Sequence, residues 1–415
     1  MPGRLKGSAE WADWEMWKAP STTPDLRLML SMNKSTALVG LDIEAGSIAA
    51  TELRTNGRTE LAGYGVMPLD SGVFREGEVA DVEALTEALK ELFSQQKLSK
   101  RVRLGIANQR VAVRTFQLPL IEDNQELETA VRFQAQDELP MPLDQSVLDW
   151  QATGRSTAED GTERLNVVAV AARRDMLARL MEAMRGAGLR PEGIDLSAFG
   201  MVRALHAGTY ASVGAAEYVA APTQQALSYE QRVDMGELGT GAATAPETDA
   251  APARLYCNLG DVTNLAVARG STCVFTRVSP FGVEGIAQKL AERRGQTLDH
   301  ARQWLVHVGL DQPADEIDGE AETVRATREC LAEGSSRLVD EVRRSLEYYA
   351  AQEGALTVDG VVACGPGTMI GGLAERLQRD LGQPVELGRP EALASLSSID
   401  AARLTLSYGL ALEDD

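Results

Sequence analysis

The hydrophobic positions of this chain fall into two rhythms. Short runs that are apolar throughout or in alternation read as strands, and residues apolar every third or fourth position read as helices. Ala37–Ile43 (ALVGLDI) is a buried strand by this criterion, with Ser47–Leu53 as its hairpin partner and Leu61–Val66 as a third strand. Val82–Gln96 carries Leu85, Leu89, Leu92 and Phe93 at helical spacing. Arg101–Ala107 and Arg110–Phe116 are two more strands, joined through Asn108 and Gln109. The next helix is punctuated at both ends: Asp123 and Glu126 form a capping box, and Pro140 and Pro142 stop it. Leu165–Ala172 reads as a strand, Asp175–Ala187 as a helix broken by Gly188, Gly193–Leu196 as a strand and Phe199–Ala207 as a helix.

From Gly208 to Ala253 the rhythm stops. Ala, Thr, Gly, Gln and Glu dominate, and the stretch reads as a flexible linker or insertion. Strands resume at Arg254–Leu259, Thr263–Ala268 and Thr272–Val278, followed by helices at Gly282–Arg294 and Asp299–Val308. A long helix from about Ala321 to Gln352 aligns Leu331, Leu338, Val342, Leu346 and Tyr349 on one face. Val358–Ala363 is a strand ending in a glycine-rich turn, Leu373–Leu381 a helix and Val385–Leu387 a short strand, and a last helical segment leads to the acidic end. Residues 1–35 hold Trp11, Trp14 and Trp17 without a sustained pattern. They read as a disordered extension, with Met32 as the native start; the alternative is a Trp stripe that docks on a partner.

A chain of 415 residues is too long for one ordinary core, and 44% hydrophobic with 25% charged residues is a globular, soluble profile. The net charge of −20 argues against binding phosphates of nucleic acid or an anionic membrane surface. Cys257, Cys273, Cys330 and Cys364 share no CxxC spacing, which fits small core residues in a reducing compartment. Apolar runs such as Val167–Ala172 fall far short of the ~20 residues that span a bilayer. These features together predict a cytoplasmic protein. His206, His300 and His307 are too scattered for a metal cluster, and no Walker, HExxH or GxSxG motif occurs.

Two segments resemble each other. LVGLDIEAGSIAATEL (Leu38–Leu53) and LYCNLGDVTNLAVARG (Leu255–Gly270) are each an apolar strand, an Asp or Asn, a short Gly-containing turn and a second strand. Such duplication predicts two similar lobes. Small turn residues let backbone N–H groups approach a phosphate, and a strand-end carboxylate such as Asp42 can hold the accompanying Mg²⁺ through water. Either segment alone reads as an ordinary hairpin; the pair gains weight from a third element. In VVACGPGTMIGGL (Val361–Leu373) a strand ends in Gly365-Pro366-Gly367 and a helix follows Thr368, an order suited to an anionic or planar ligand.

The order of the three elements resembles the actin, hexokinase and DnaK superfamily, with its two phosphate turns and adenosine motif. Gln117–Trp150, Ala171–Leu205, FTRVSPFG (Phe275–Gly282) and Leu338–Gln352 narrow the resemblance to the PilM family of type IV pilus assembly proteins and its relative, the FtsA family. The resemblance implies an α/β, actin-like ATPase (ribonuclease H-like) fold of two duplicated lobes. The first lobe spans 36–207 with a small α/β subdomain inserted at about 60–172; a linker covers 208–253; the second lobe spans 254–415. It also implies ATP and Mg²⁺ held by Gly40, Asp42 and Ser47 in the first turn, Asn258, Gly260 and Thr263 in the second, and Gly365, Gly367 and Thr368 in the third, with Asp42 toward the metal.

The family pattern is broken where phosphate chemistry is most demanding. Glu44 stands in place of a Gly, Ala49 in place of a Lys, Asn258 in place of an Asp and Leu305 near a common Lys position, and Pro366 interrupts a Gly triplet. Asn neither attracts Mg²⁺ by charge nor acts as a base. The expectation is weak or absent ATP binding without hydrolysis. The resemblance then implies a scaffold at the inner face of the cytoplasmic membrane. It would hold the cytoplasmic peptide of a PilN-like membrane protein and connect to other pilus platform or motor proteins. An active ATPase of the same fold and an FtsA-like division protein are the alternatives; the acidic end lacks the amphipathic membrane helix of the latter.

Overall fold

The computed structural model describes residues 36–55, 58–157, 161–206, 208–212, 252–352 and 354–412. The expectations for residues 1–35, and for most of the 208–253 stretch, lie outside the described residues.

Strands β1 (Thr36–Glu44), β2 (Ser47–Thr55) and β3 (Thr59–Pro68) form an antiparallel meander. A two-residue hairpin, β4 (Phe74–Arg75) and β5 (Glu78–Val79), leads to α1 (Val82–Gln95). Asp81 caps α1 by accepting from the Ala84 amide, and Leu85, Leu89, Leu92 and Phe93 form its buried face, as the spacing predicts. Strand β6 (Arg101–Ile106) then pairs parallel with β1.

The chain next leaves this sheet. Strands β7 (Val111–Pro119), β8 (Ser146–Thr157) and β9 (Glu163–Arg173) build a separate antiparallel sheet in the order β7-β9-β8. It is covered by α2 (Asn124–Glu138), whose cap Asp123 accepts from the Gln125 and Glu126 amides. The chain returns through α3 (Arg174–Gly186) to β10 (Arg190–Leu196), parallel to β6, and α4 (Ser197–Leu205). The first main sheet is therefore β10-β6-β1-β2-β3.

The second half repeats the plan. After β11 (Thr209–Ser212), strands β12 (Ala253–Leu259), β13 (Thr263–Arg269) and β14 (Thr272–Ser279) form a meander. Helices α5 (Val283–Arg294), α6 (Leu298–Val308) and α7 (Ala321–Ala350) follow, then β15 (Val358–Cys364), α8 (Leu373–Leu381), β16 (Val385–Arg389) and α9 (Ser398–Ala411). Strands β15 and β16 add parallel to β12, giving β11-β16-β15-β12-β13-β14. Apart from the extra edge strand β11, the two sheets have one topology, which is the duplication that the paired segments predict.

Four expectations need correction. The separate subdomain starts at Val111, not near residue 60, because β3, α1 and β6 belong to the first main sheet and its core. Strand β8 carries few apolar residues and exposes most of its length, so no alternation marked it. Thr209–Ser212, assigned to the linker, is a strand paired with β16. Finally, α9 does not belong to the second lobe alone: it packs mainly against β1, β2, β6 and α4, while still touching β16 and the turn after β15.

The return of α9 rests on close backbone approach. A Cβ on Gly409 would lie 1.8 Å from the Gly200 carbonyl of α4, and one on Gly40 would lie 1.9 Å from the Ser407 carbonyl. Leu410 is fully buried against Gly105 and Gly200. Thr51 and Ser407 share a hydroxyl hydrogen bond of 2.7 Å, and Arg103 Nη1 donates 2.6 Å to the Leu412 carbonyl, beyond the helix end. Substituting Gly409→Val should force α4 and α9 apart and cost about 1–3 kcal/mol or more in denaturant unfolding. Gly193→Ala, where an added Cβ meets nothing within 4 Å, should change stability by less than about 0.5 kcal/mol.

Candidate functional site at the junction of the two halves

The first turn follows β1, the second follows β12, and the third is the short 3-10 turn Pro366–Met369 after β15. Parallel pairing sets Asn258 beside Cys364, so the second and third turns emerge together from neighbouring strand ends. The first turn meets the second face to face.

Two contacts join them. The Ala45 N–H donates 2.8 Å to Asp261 Oδ2, and Asn258 Nδ2 donates 3.2 Å to Glu44 Oε1. Gly260 makes the second contact possible, because a Cβ there would lie 2.1 Å from Glu44 Oε1. Gly365, at φ 85°, serves the same end on the other side: its Cβ would lie 2.1 Å from Asn258 Oδ1. Asp42 sits behind Glu44 and accepts 3.0 Å from Ser197 Oγ at the start of α4.

Of the residues singled out in the sequence, Asp42, Asn258, Gly260 and Gly365 thus converge on Glu44. The others serve local structure. Gly40 admits α9. Ser47 opens β2 opposite Glu44. Thr263 Oγ1 donates 2.7 Å to the Phe281 carbonyl, and Thr368 Oγ1 donates 2.7 Å to the Gly365 carbonyl. Gly367 packs its α-carbon side against Leu259.

Four participants were missed because only folding brings them near. Asp261 bridges the turns, Ser197 holds Asp42, and Glu284 opens α5 beside them. Arg302 of α6 lies against Gly46 of the first turn, where an added Cβ would be 2.7 Å from its guanidinium. Its Nε donates 2.9 Å to Glu284 Oε2, and it also pairs with Asp299.

The carboxyls crowd one another out of water. Burial raises Asp42 to about 7; the Ser197 bond opposes this and Asp261 adds to it. Burial also raises Asp261 to about 6, against the pull of the Ala45 and Val262 amides. Glu44 is pushed well above its usual range by burial, then by the charges of Asp261 and Asp42. The cluster therefore favours neutral, proton-holding carboxyls, with Asn258 as a donor to one of them.

Residues 40–220 match the family model described as type IV pilus assembly protein PilM. Over that span the chain is similar to the PilM family. The solved structure of the PilM-PilN type IV pilus biogenesis complex is 23% identical, covers 91% of this chain and 98% of its own, and superposes with a TM-score of 0.66. The ethanolamine utilization protein EutJ from Carboxydothermus hydrogenoformans is 12% identical, covering 92% of this chain and 93% of its own, at a TM-score of 0.46. MreB5 of Spiroplasma citri bound to ADP is 13% identical, covering 88% and 94%, at 0.44. The chain shares the fold of the protein solved in the PilM-PilN complex.

The matched segment contains Glu44, whereas its partner Asn258 lies outside it. The two residues are physically linked. An Asp at 258 would set a carboxylate against Glu44, whereas Asn supplies the N–H that Glu44 accepts. Asn258→Asp should therefore destabilise the protein at neutral pH, and do so much less in a Glu44→Gly background. A double-mutant cycle in chemical denaturation measures the coupling; additive effects would refute it. The pH dependence has a definite sign. A carboxyl raised in the folded state holds its proton longer than in the unfolded chain, so stability falls as pH rises from about 4 toward 7. Asp42→Asn should flatten that decline, a difference of a few kcal/mol at pH 8 in denaturant melts.

Proposed function

We propose that this chain is a scaffold of the type IV pilus inner-membrane assembly platform that holds the cytoplasmic N-terminal peptide of a PilN-like membrane protein. The observation that carries the reading is the PilM-family match at residues 40–220, which takes in the whole separate sheet β7-β9-β8 with α2. A relative of the same fold, solved as a PilM-PilN complex, supports the partner. No helix among the described residues is long and apolar enough to cross a membrane. In this reading the chain reaches the inner face of the cytoplasmic membrane through its partners, and other pilus platform or motor proteins attach to it there.

We further infer that the junction of the lobes works as a clasp rather than as an ATPase centre. The Ala45 amide is taken by the Asp261 carboxylate, Glu44 lies on Gly260, and Arg302 is committed to Glu284 and Asp299. A triphosphate with Mg²⁺ would have to displace an anion from the first turn and enter among Asp42, Glu44 and Asp261. The residues present do not fit that load.

Co-expression with the neighbouring pilus membrane proteins tests the scaffold: a PilN-like protein should co-purify, and losing its cytoplasmic peptide should abolish capture. Recovery of no pilus component would overturn the reading. Calorimetric titration with Mg-ATP should show a Kd weaker than about 1 mM; micromolar binding would refute the clasp alone and leave the scaffold standing.

A further inference from the structure

The first main sheet ends in a strand whose outer side is open. Among the described residues no strand pairs with the free edge of β3. Natural edge strands are blunted by charge or proline; β3 carries these only at its ends, as Glu60 and Pro68, and the Leu61–Met67 stretch (LAGYGVM) between them has neither. The matching edge of the second sheet is treated differently, since β14 lies against β7 of the separate subdomain.

The surroundings of β3 form a groove. A cavity of about 490 Å³ is lined by Gly63, Tyr64, Gly65, Val66, Gln96 and Asp400. Gly65 lets α1 lie close beneath, with Gln96 Cγ 2.6 Å from where its Cβ would be. Tyr64 is 38% exposed, and Ile399, next to Asp400 at the start of α9, is 49% exposed. A strand edge whose middle is uncharged, with an apolar rim, is suited to main-chain pairing with an added strand.

We infer that the β3 edge is a docking site for an extended, cationic peptide segment, which adds to the sheet as a sixth strand. The charge follows from complementarity. Asp400 is the carboxylate of the groove, no lysine or arginine lines it, and the whole chain carries −20. A second copy of the chain would bring the same −20 to the edge, which disfavours pairing between copies. The site lies on the main sheet, apart from the separate subdomain, so it stands whether or not the pilus reading holds.

A display library of random twelve-residue peptides, selected on the full chain, tests this. Enriched peptides should carry net positive charge, and hydrogen exchange should show protection of the Gly63–Met67 amides when they bind. Tyr64→Lys, at an exposed position, should weaken binding at least tenfold while leaving the melting temperature unchanged; Asp400→Asn should weaken it several-fold and reduce its salt dependence. Failure to enrich cationic peptides, or protection elsewhere than β3, would overturn the proposal. So would dimerisation through β3 in sedimentation, or β3 amides already protected in the full chain and exposed on removing residues 1–31.

Discussion

Helix α9 reaches the first sheet because Gly40 and Gly409 leave no side chain in its path. Its neighbour α4 faces both sheets, touching β12, β13, β14 and β16 as well as its own lobe. The two helices cross almost backbone to backbone, and Leu410 fills the notch at Gly105 and Gly200. Close packing of this kind is sensitive to single carbon atoms. It also leaves helix-end carbonyls to satisfy, which Arg103 does at Leu410 and Leu412 and Arg203 does at Gly409. The relative position of the sheets is thereby fixed from within, by packing that runs up to the turns themselves: α4 starts at Ser197 on Asp42, and α9 touches the third turn.

Once the sheets are so placed, the turn residues have little freedom to separate. Asp42, Glu44 and Asp261 are brought together whether or not their charges favour it. The chain offsets the crowding with neutral donors, namely Ser197 on Asp42, the Ala45 amide on Asp261 and Asn258 on Glu44. Each is a hydrogen bond to a group that desolvation drives toward neutrality. A carboxylate stands in the first turn at Glu44, and the carboxamide at 258 is its complement across the junction.

Much of the fold was legible because buried strands and amphipathic helices leave strong periodic signals. The repeated strand–turn–strand units at Leu38 and Leu255 gave the duplication, and the two meanders have the same order. What escaped was weakly patterned or non-local. Strand β8 is mostly exposed, and β11 has four residues in a stretch of low complexity. The attachment of α9 depends on glycines far apart in sequence, which no window could join. At the junction, the turn residues were visible as motifs, but Asp261, Ser197, Glu284 and Arg302 were not, because their meaning lies in contacts that only folding makes, some within a lobe and some across the lobes. Gly40 and Thr263 matched a phosphate pattern and turned out to carry packing and a strand-end hydrogen bond.

The missing cation illustrates the same point in reverse. The sequence drew attention to Leu305, where the family resemblance led to the expectation of a Lys. Leu305 is buried in the second core beside Ala301 and Leu331, where an ammonium would be costly. One turn earlier on the same helix, Arg302 faces the junction instead and lies on Gly46. The positive charge of this helix at the junction is therefore supplied by Arg302. Its partners Glu284 and Asp299 belong to its own lobe, and through Gly46 it also packs against the other. A guanidinium held in this way has a fixed position and no spare charge, which suits a residue that braces one lobe against the other.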